Sequence, residues 1–449
     1  MRHIPRKTLA IAVVALLLTP LLAVAGGAWR DKTDALRDSI NGGHADNVIL
    51  LIGDGMGDSE ITIARNYHVG AAGRLSLDTL PLTGAMTTYA VQEAHPNLPD
   101  YVPDSAATGT AWATRTKTSK GRISTTPGTD LDLTTILELA QRKGLRTGDV
   151  STAELTDATP AVLAAHVSAR GCQGPTDMAA CPQDKKAAGG PGSIAEQLVD
   201  HKVNVLLGGG KQRFDQKIDG GPFAGKTVID SAIAQSYRVI TKTSDLDALK
   251  SEKNVLGLFS SGNMSLEWSG ALAQPFPGSG PQRCLEGQRP AEQPSLAAMT
   301  STALTLLENK RGFFLQVEGA SIDKQDHAAN PCGQIGETIA FDAVIKVALD
   351  YQQKHPRTLV IVTADHGHTS QIIPPPTNAA QPGVFSKLTT ADGTDMTVSY
   401  ATSPVGASQE HTGTEVRVAA QGPRAANVVG VIDQTELYSI IVDVLRRKD

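Results

Sequence analysis

Short apolar runs recur along the chain, and segments of helical periodicity separate them. The runs cover residues 47–52, 204–207, 255–259, 313–317 and 358–362. Each is short, and apolar residues fill successive positions, as in strands covered on both faces. The first runs into Gly53-Asp54-Gly55, which breaks it into a loop. Helical spacing covers 133–143, where Gly144 supplies a C-cap, and 295–307, 335–352 and 436–446. Strands alternating with helices predict an α/β fold, a doubly wound and mostly parallel central sheet with helices on both faces. A chain of 449 residues suits one large domain or two smaller ones. Aromatic residues make up only 4%, so the core must be built from Ala, Val, Leu and Ile. Two segments break the alternation. Residues 175–192, rich in Gly, Pro and Lys, read as a surface loop. Residues 373–397 open on Pro374-Pro375-Pro376 and read as a cap insertion on one face.

The first residues carry Arg2, Arg6 and Lys7, an apolar run over 9–18, and Ala23-Val24-Ala25. This is the pattern of a secretory signal peptide over 1–25, cut after Ala25. As a membrane span the run is too short, and Pro20 interrupts it. Polar residues 26–46 form an N-terminal arm, loose or exchanged. No later segment is apolar enough to cross a bilayer, so no membrane partner is expected of the mature form. Cleavage would leave 38 of the 41 basic residues against 46 acidic ones. No basic run remains, which excludes nucleic acid as a partner. Cys172, Cys181, Cys284 and Cys332 are even in number, which favours two disulfides in an exported chain. Three pairings are open. No C-x-x-C spacing supports a zinc–cysteine site.

Ligands in open α/β sheets gather where strands end at their carboxyl edge. Asp54 follows the run at 47–52, Glu318 the run at 313–317, and Asp365 and His366 the run at 358–362. Residues 318–327 hold Glu318, Asp323, Lys324, Asp326 and His327. Asp323 and His327 are four apart and would share one helix face. His368 and His411 add two imidazoles. Carboxylates with imidazoles suit zinc, whereas Asp54, Glu318 and a threonine hydroxyl suit a hard ion such as magnesium. A single histidine is most often a hydrogen-bonded surface or core imidazole, and His44, His68, His95, His201 and His355 are read that way. Ser105 is followed by Ala-Ala-Thr-Gly-Thr-Ala. It should open a helix packed closely on the sheet, with its oxygen at a helix N-terminus that favours phosphate. Asp-Ser before a helix is usually just a cap. A serine nucleophile also needs activation, which metal coordination would supply. Arg170 could hold two phosphate oxygens at once.

These stretches resemble the bacterial periplasmic alkaline phosphatases from about Asn47 to the C-terminus. The resemblance is carried by residues 47–58, 103–114, 151–160, 312–337, 359–366 and 409–413. It implies an exported, periplasmic homodimer that hydrolyses phosphate monoesters of broad range. Ser105 matches the nucleophile that becomes phosphoserine. Asp323, His327 and His411 match ligands of a first zinc, and Asp54, Asp365 and His366 those of a second. Asp54, Thr159 and Glu318 match the magnesium ligands, and Asp157 matches a residue that reaches that ion through water. Arg170 matches the phosphate clamp and Lys324 a water-mediated phosphate contact. His368 matches a family position near the second zinc that does not ligate it. The magnesium shell is expected to provide the base for the serine proton. The resemblance also favours the 172–181 and 284–332 disulfides. Arg115-Thr-Lys-Thr118, Gly367 and the 373–397 insertion depart from the family pattern. A sulfatase would need a C/S-x-P-x-R context, which Ser105 lacks. A non-catalytic metal- or phosphate-binding protein would lack the nucleophile or a ligand, and every position is filled.

Overall fold

The structure, a computed structural model, describes residues 31–445. The signal segment at 1–25 lies outside the described residues, as do 26–30 of the arm and residue 446 of the expected 436–446 helix. Within the arm, Thr33–Ser39 is a helix with no buried residue. Asn41 then bridges to Pro423 of the same chain.

Ten strands form the central sheet. They are β1 (Asn47–Gly53), β2 (Leu82–Thr87), β3 (Arg146–Glu154), β4 (Val205–Gly209) and β5 (Arg238–Ile240). The others are β6 (Val255–Leu258), β7 (Phe313–Gly319), β8 (Thr358–Ala364), β9 (Val416–Gln421) and β10 (Gly430–Asp433). Their order is β10-β2-β9-β8-β1-β7-β3-β4-β6-β5. From β8 to β5 every neighbour is parallel, while β9 runs antiparallel to β8 and β2. The fold is therefore α/β with a mostly parallel sheet. Residues 48–53 of β1 and all of β7 and β8 are buried, as parallel strands covered by helices on both faces must be.

All five expected strands are present. The pattern did not predict β2, β3, β5, β9 and β10. The sequence of β3 explains why: Arg-Thr-Gly-Asp-Val-Ser-Thr-Ala-Glu has one large apolar residue, yet eight of its nine positions are buried. The expected helices are found at Ile136–Arg142, Leu296–Leu307, Pro331–Lys354 and Glu436–Val444.

Two segments differ from expectation. The 175–192 stretch carries three short 3-10 turns and buries Pro175 and Met178. The segment read as a cap at 373–397 contributes strands Gln371–Ile373, Val384–Thr389 and Asp395–Tyr400. These join Ser279–Gln282, a strand from far upstream, in a four-stranded sheet. Its apolar side packs in a second small core with Trp268, Ile335 and Tyr67. The disulfides are Cys172–Cys181 and Cys284–Cys332, the pairing the resemblance favours.

Candidate active site

Four adjacent strands, β8-β1-β7-β3, bring their carboxyl ends together. The register pairs Ile52 with Glu318, Gly53 with Ala364, and Glu318 with Ser151. Asp54 and Asp365 therefore leave the sheet at one level, and Glu318, level with Ile52, stands just inside the same edge. Asp157 and Thr159 follow β3 in a short helix, Ala158–Ala161, capped by the Asp157 side chain.

Ser105 is the first residue of the helix Ser105–Thr114, every residue of which is buried. Asp104 caps it by accepting from the Ala107 N–H at 3.0 Å. A Cβ on Gly109 would lie 2.9 Å from the Val162 methyls, so the small residues after the serine do allow close packing. Ser105 Oγ lies 3.3 Å from His366 Nε2. That nitrogen is 3.2 Å from Asp365 Oδ2 and 3.5 Å from Asp54 Oδ1. One donor atom from each of Asp54, Asp365 and His366 lies within 4.8 Å of the others.

A second group joins Asp323, His327, His368 and His411 at the same spacing. Asp323 Oδ1 faces three imidazole Nε2 atoms, at 3.2 Å (His368), 3.2 Å (His411) and 3.4 Å (His327). Tautomers separate their roles. His411 Nδ1 faces the Pro103 carbonyl at 2.9 Å, and His327 Nδ1 faces the Gln409 carbonyl. Each Nδ1 must therefore carry the proton, leaving a lone pair on Nε2. Those two lone pairs face each other across 3.1 Å, an arrangement that repels unless a cation lies between them. Carbonyl-anchored imidazoles of this kind are typical metal ligands. His368 is the reverse. Its Nδ1 accepts from the Thr369 N–H at 2.9 Å, so Nε2 carries the proton and points it at Asp323. His368 thus faces Asp323 Oδ1, 3.2 Å away, through a nitrogen that has no lone pair to offer a cation. The sequence reading placed it near Asp54 and His366, whereas it stands with Asp323. The stacked rings of His366 and His411, 3.7 Å between centroids, join the two groups.

Asp54 Oδ1, Asp365 Oδ2, Asp323 Oδ1 and Thr159 Oγ1 are all buried without a hydrogen-bond partner among the described residues. Burial pushes the Asp54 carboxyl well above the usual carboxylate range, and Asp323, Asp365 and Glu318 push it further. Burial likewise raises Asp365 to about 6 and Glu318 to about 7. Such a packed set of carboxylates calls for positive charge, and the orphaned oxygens point where it would sit. The residues fit metal ions.

Asp157 links the remaining residues. Its Oδ1 accepts from Arg170 Nη2 at 2.7 Å, and its Oδ2 from Lys324 Nζ at 2.7 Å. Burial would raise its carboxyl, but the two cations outweigh burial and hold it well below the ordinary range. Arg170 Nη1 also reaches Asp104 Oδ2 at 3.2 Å. The Arg170 and Lys324 side chains keep 34% and 23% of their surface exposed, so a solute can reach them. The sequence did not single out Ser151 or Thr152, and it read Asp104 only as part of a helix cap. Ser151 donates to Glu318 Oε2, and Thr152 accepts from the Ala320 N–H at 3.0 Å. As hydroxyls within a strand they carried no motif.

A buried serine beside two carboxylate–imidazole groups, at the carboxyl edge of a parallel sheet, defines a metal-binding hydrolase centre. The alkaline phosphatase family model matches residues 45–407 and 387–446. Streptomycin-6-phosphate phosphatase of Streptomyces griseus is 52% identical over 89% of this chain and 90% of that protein. Alkaline phosphatase of Escherichia coli K12 is 47% identical over 96% of this chain and 98% of that protein. The alkaline phosphatase of the Antarctic bacterium TAB5 shares the fold, at a TM-score of 0.69 and 23% identity, over 91% of this chain and 99% of its own. The chain belongs to the alkaline phosphatase family and is a phosphoric monoester hydrolase that uses metal cofactors. Among the described residues no helix is long and apolar enough to cross a membrane.

Proposed function

We propose that the chain hydrolyses phosphate monoesters through a phosphoserine at Ser105, with two zinc ions and one magnesium ion. The observation that carries this is Ser105 Oγ, 3.3 Å from an imidazole of the Asp54–Asp365–His366 group. The donor sets support the metal assignment. Asp323, His327 and His411 would hold one zinc, and Asp54, Asp365 and His366 the other. Asp54, Thr159 and Glu318 offer only oxygen and suit magnesium, with Asp157 beyond them. When bound, these ions would supply positive charge that favours the Ser105 alkoxide and the departing ester oxygen.

Ser105 Oγ attacks phosphorus and the ester oxygen leaves, so the alcohol departs and phosphate remains on the serine. Water then attacks phosphorus, Ser105 Oγ leaves, and inorganic phosphate is released. Arg170 takes two equatorial oxygens of the phosphoryl group, where most of the charge lies. Lys324 adds charge at longer range. Relatives named for a phosphorylated antibiotic and for alkaline phosphatase activity in general support a broad range of esters. The same reading takes 1–25 as a signal peptide, 26–46 as an arm and 47–449 as one catalytic domain with its cap, working as a periplasmic homodimer. The decisive test is aryl phosphate turnover by wild type and Ser105→Ala, with and without chelator. Undiminished turnover by the alanine variant sinks the covalent route. Recovery of chelated wild type with magnesium but not zinc sinks the two-zinc assignment.

A further inference from the structure

A third group of metal-type donors stands apart from the residues above. It comprises Glu138, His166 and His201, whose donor atoms also lie within 4.8 Å of one another. Three separate segments supply it. Glu138 is in the first turn of the helix Ile136–Arg142, His166 precedes Arg170 by four residues, and His201 ends the helix Ile194–Asp200.

Each donor's orientation is set by its other end. His166 Nδ1 faces the Ser124 carbonyl at 3.1 Å, so the Nδ1 proton is donated there and Nε2 keeps a lone pair. That lone pair points at Glu138 Oε1 across 3.2 Å. A lone pair facing a carboxylate oxygen is stable only with a proton or a cation between them. Glu138 Oε2 is already engaged, accepting from the Thr135 N–H at 2.9 Å in a capping box. Oε1 is left for the site. His201 Nδ1 approaches the same oxygen at 3.7 Å. Two ligands about 2.1 Å from a tetrahedral zinc stand roughly 3.4 Å apart, and 3.2 and 3.7 Å bracket that spacing. The side chains of Glu138 and His201 keep 21% and 27% of their surface exposed, which leaves an entry path and a fourth position for water.

We propose that Glu138, His166 and His201 bind a divalent transition-metal ion, zinc above all, at a structural site separate from the catalytic metals. Two imidazoles with one carboxylate make a zinc set. The ion would tie together two helices and the segment that leads to Arg170. The sequence reading had taken His201 for an ordinary imidazole.

The test compares zinc per chain, by elemental mass spectrometry, in the purified full-length wild type and in His201→Ala. Both are equilibrated with zinc and gel-filtered. The wild type is expected to carry one more zinc, with equal turnover of aryl phosphate. The pair is repeated in an Asp54→Ala background, which removes the carboxylate shared by the proposed second zinc and magnesium sites. The one-zinc difference persists there even if the catalytic assignment fails. A second readout is the rise in thermal midpoint on adding zinc, which is expected to be smaller in His201→Ala. Equal zinc content in both backgrounds, with an equal rise in midpoint on adding zinc, overturns the proposal and leaves a protonated His166 paired with Glu138.

Discussion

Ser105 Oγ and His366 Nε2 stand 3.3 Å apart although 261 positions separate them in sequence. One opens a helix and the other follows a central strand. His366 makes a poor general base, because burial and neighbouring His411 hold its imidazole well below the ordinary range. On the proposed reading its service to the serine would be to hold a cation beside it. Ser105→Ala is therefore expected to lower kcat for aryl phosphates by at least about 10³-fold while leaving metal content intact. Acid quenching with labelled phosphate ester should trap a protein-bound label in wild type and none in the variant.

Asp157 occupies two cations that a phosphate dianion would also want. Removing one donor from such a set costs on the order of 10²–10³ in rate, and that loss of kcat/KM is expected for Arg170→Ala. Asp157→Asn works in the opposite sense on binding. It releases Arg170 and Lys324, so inorganic phosphate should inhibit at lower concentration. Product-inhibition constants at saturating magnesium check this, and an unchanged constant counts against the shared grip.

Acid should compete with metal. In the metal-free chain Asp365 titrates near 6 and Glu318 near 7, both raised by burial. A raised carboxyl keeps its proton to higher pH, so metal binding must displace protons below about 7 and none from these two groups well above it. Calorimetric titration of the chelated protein with metal should show proton release at pH 6 that falls away by pH 8.5. Affinity should weaken as pH drops through the same window. The sign also applies to folding. The metal-free chain loses stability as pH rises from about 4 to about 7, the span in which these two groups hold protons in the native state but not in the unfolded one.

Trp112 ties the helix that Ser105 opens to the segment that carries Thr159. Its indole N–H donates to Gln316 Oε1 at 3.1 Å, and Gln316 Nε2 donates to the Thr159 carbonyl at 2.8 Å. Trp112 is fully buried. Trp112→Phe leaves Gln316 Oε1 unpaired and is expected to cost about 1–3 kcal/mol. Trp112→Ala, which also opens a cavity, should cost about 3–5 kcal/mol. Denaturant unfolding of the metal-loaded protein measures both.

Much of this was legible beforehand, because parallel strands buried on both faces write themselves as apolar runs. Acids at the ends of such runs marked the sheet edge where the site lies. What stayed hidden follows from the same physics. Strand β3 escaped notice because its Thr, Asp and Ser residues are paired or packed inside the protein rather than turned to water. The strand at 279–282 reads as a turn, Ser-Gly-Pro-Gln, and is recruited by a sheet more than a hundred residues downstream. His368 could not be told from a ligand by spacing, since its role rests on which ring nitrogen holds the proton. The Glu138–His166–His201 group had no motif, for its members share no segment.

The stacked rings of His366 and His411 have one further consequence. Each ring belongs to a different carboxylate–imidazole group, and neither can tilt far without pressing on the other. Seating the first cation fixes its own ring and, by contact, narrows the freedom of the second. Loading should then be cooperative: partly filled chains are scarce, and activity rises steeply rather than in proportion as metal is restored.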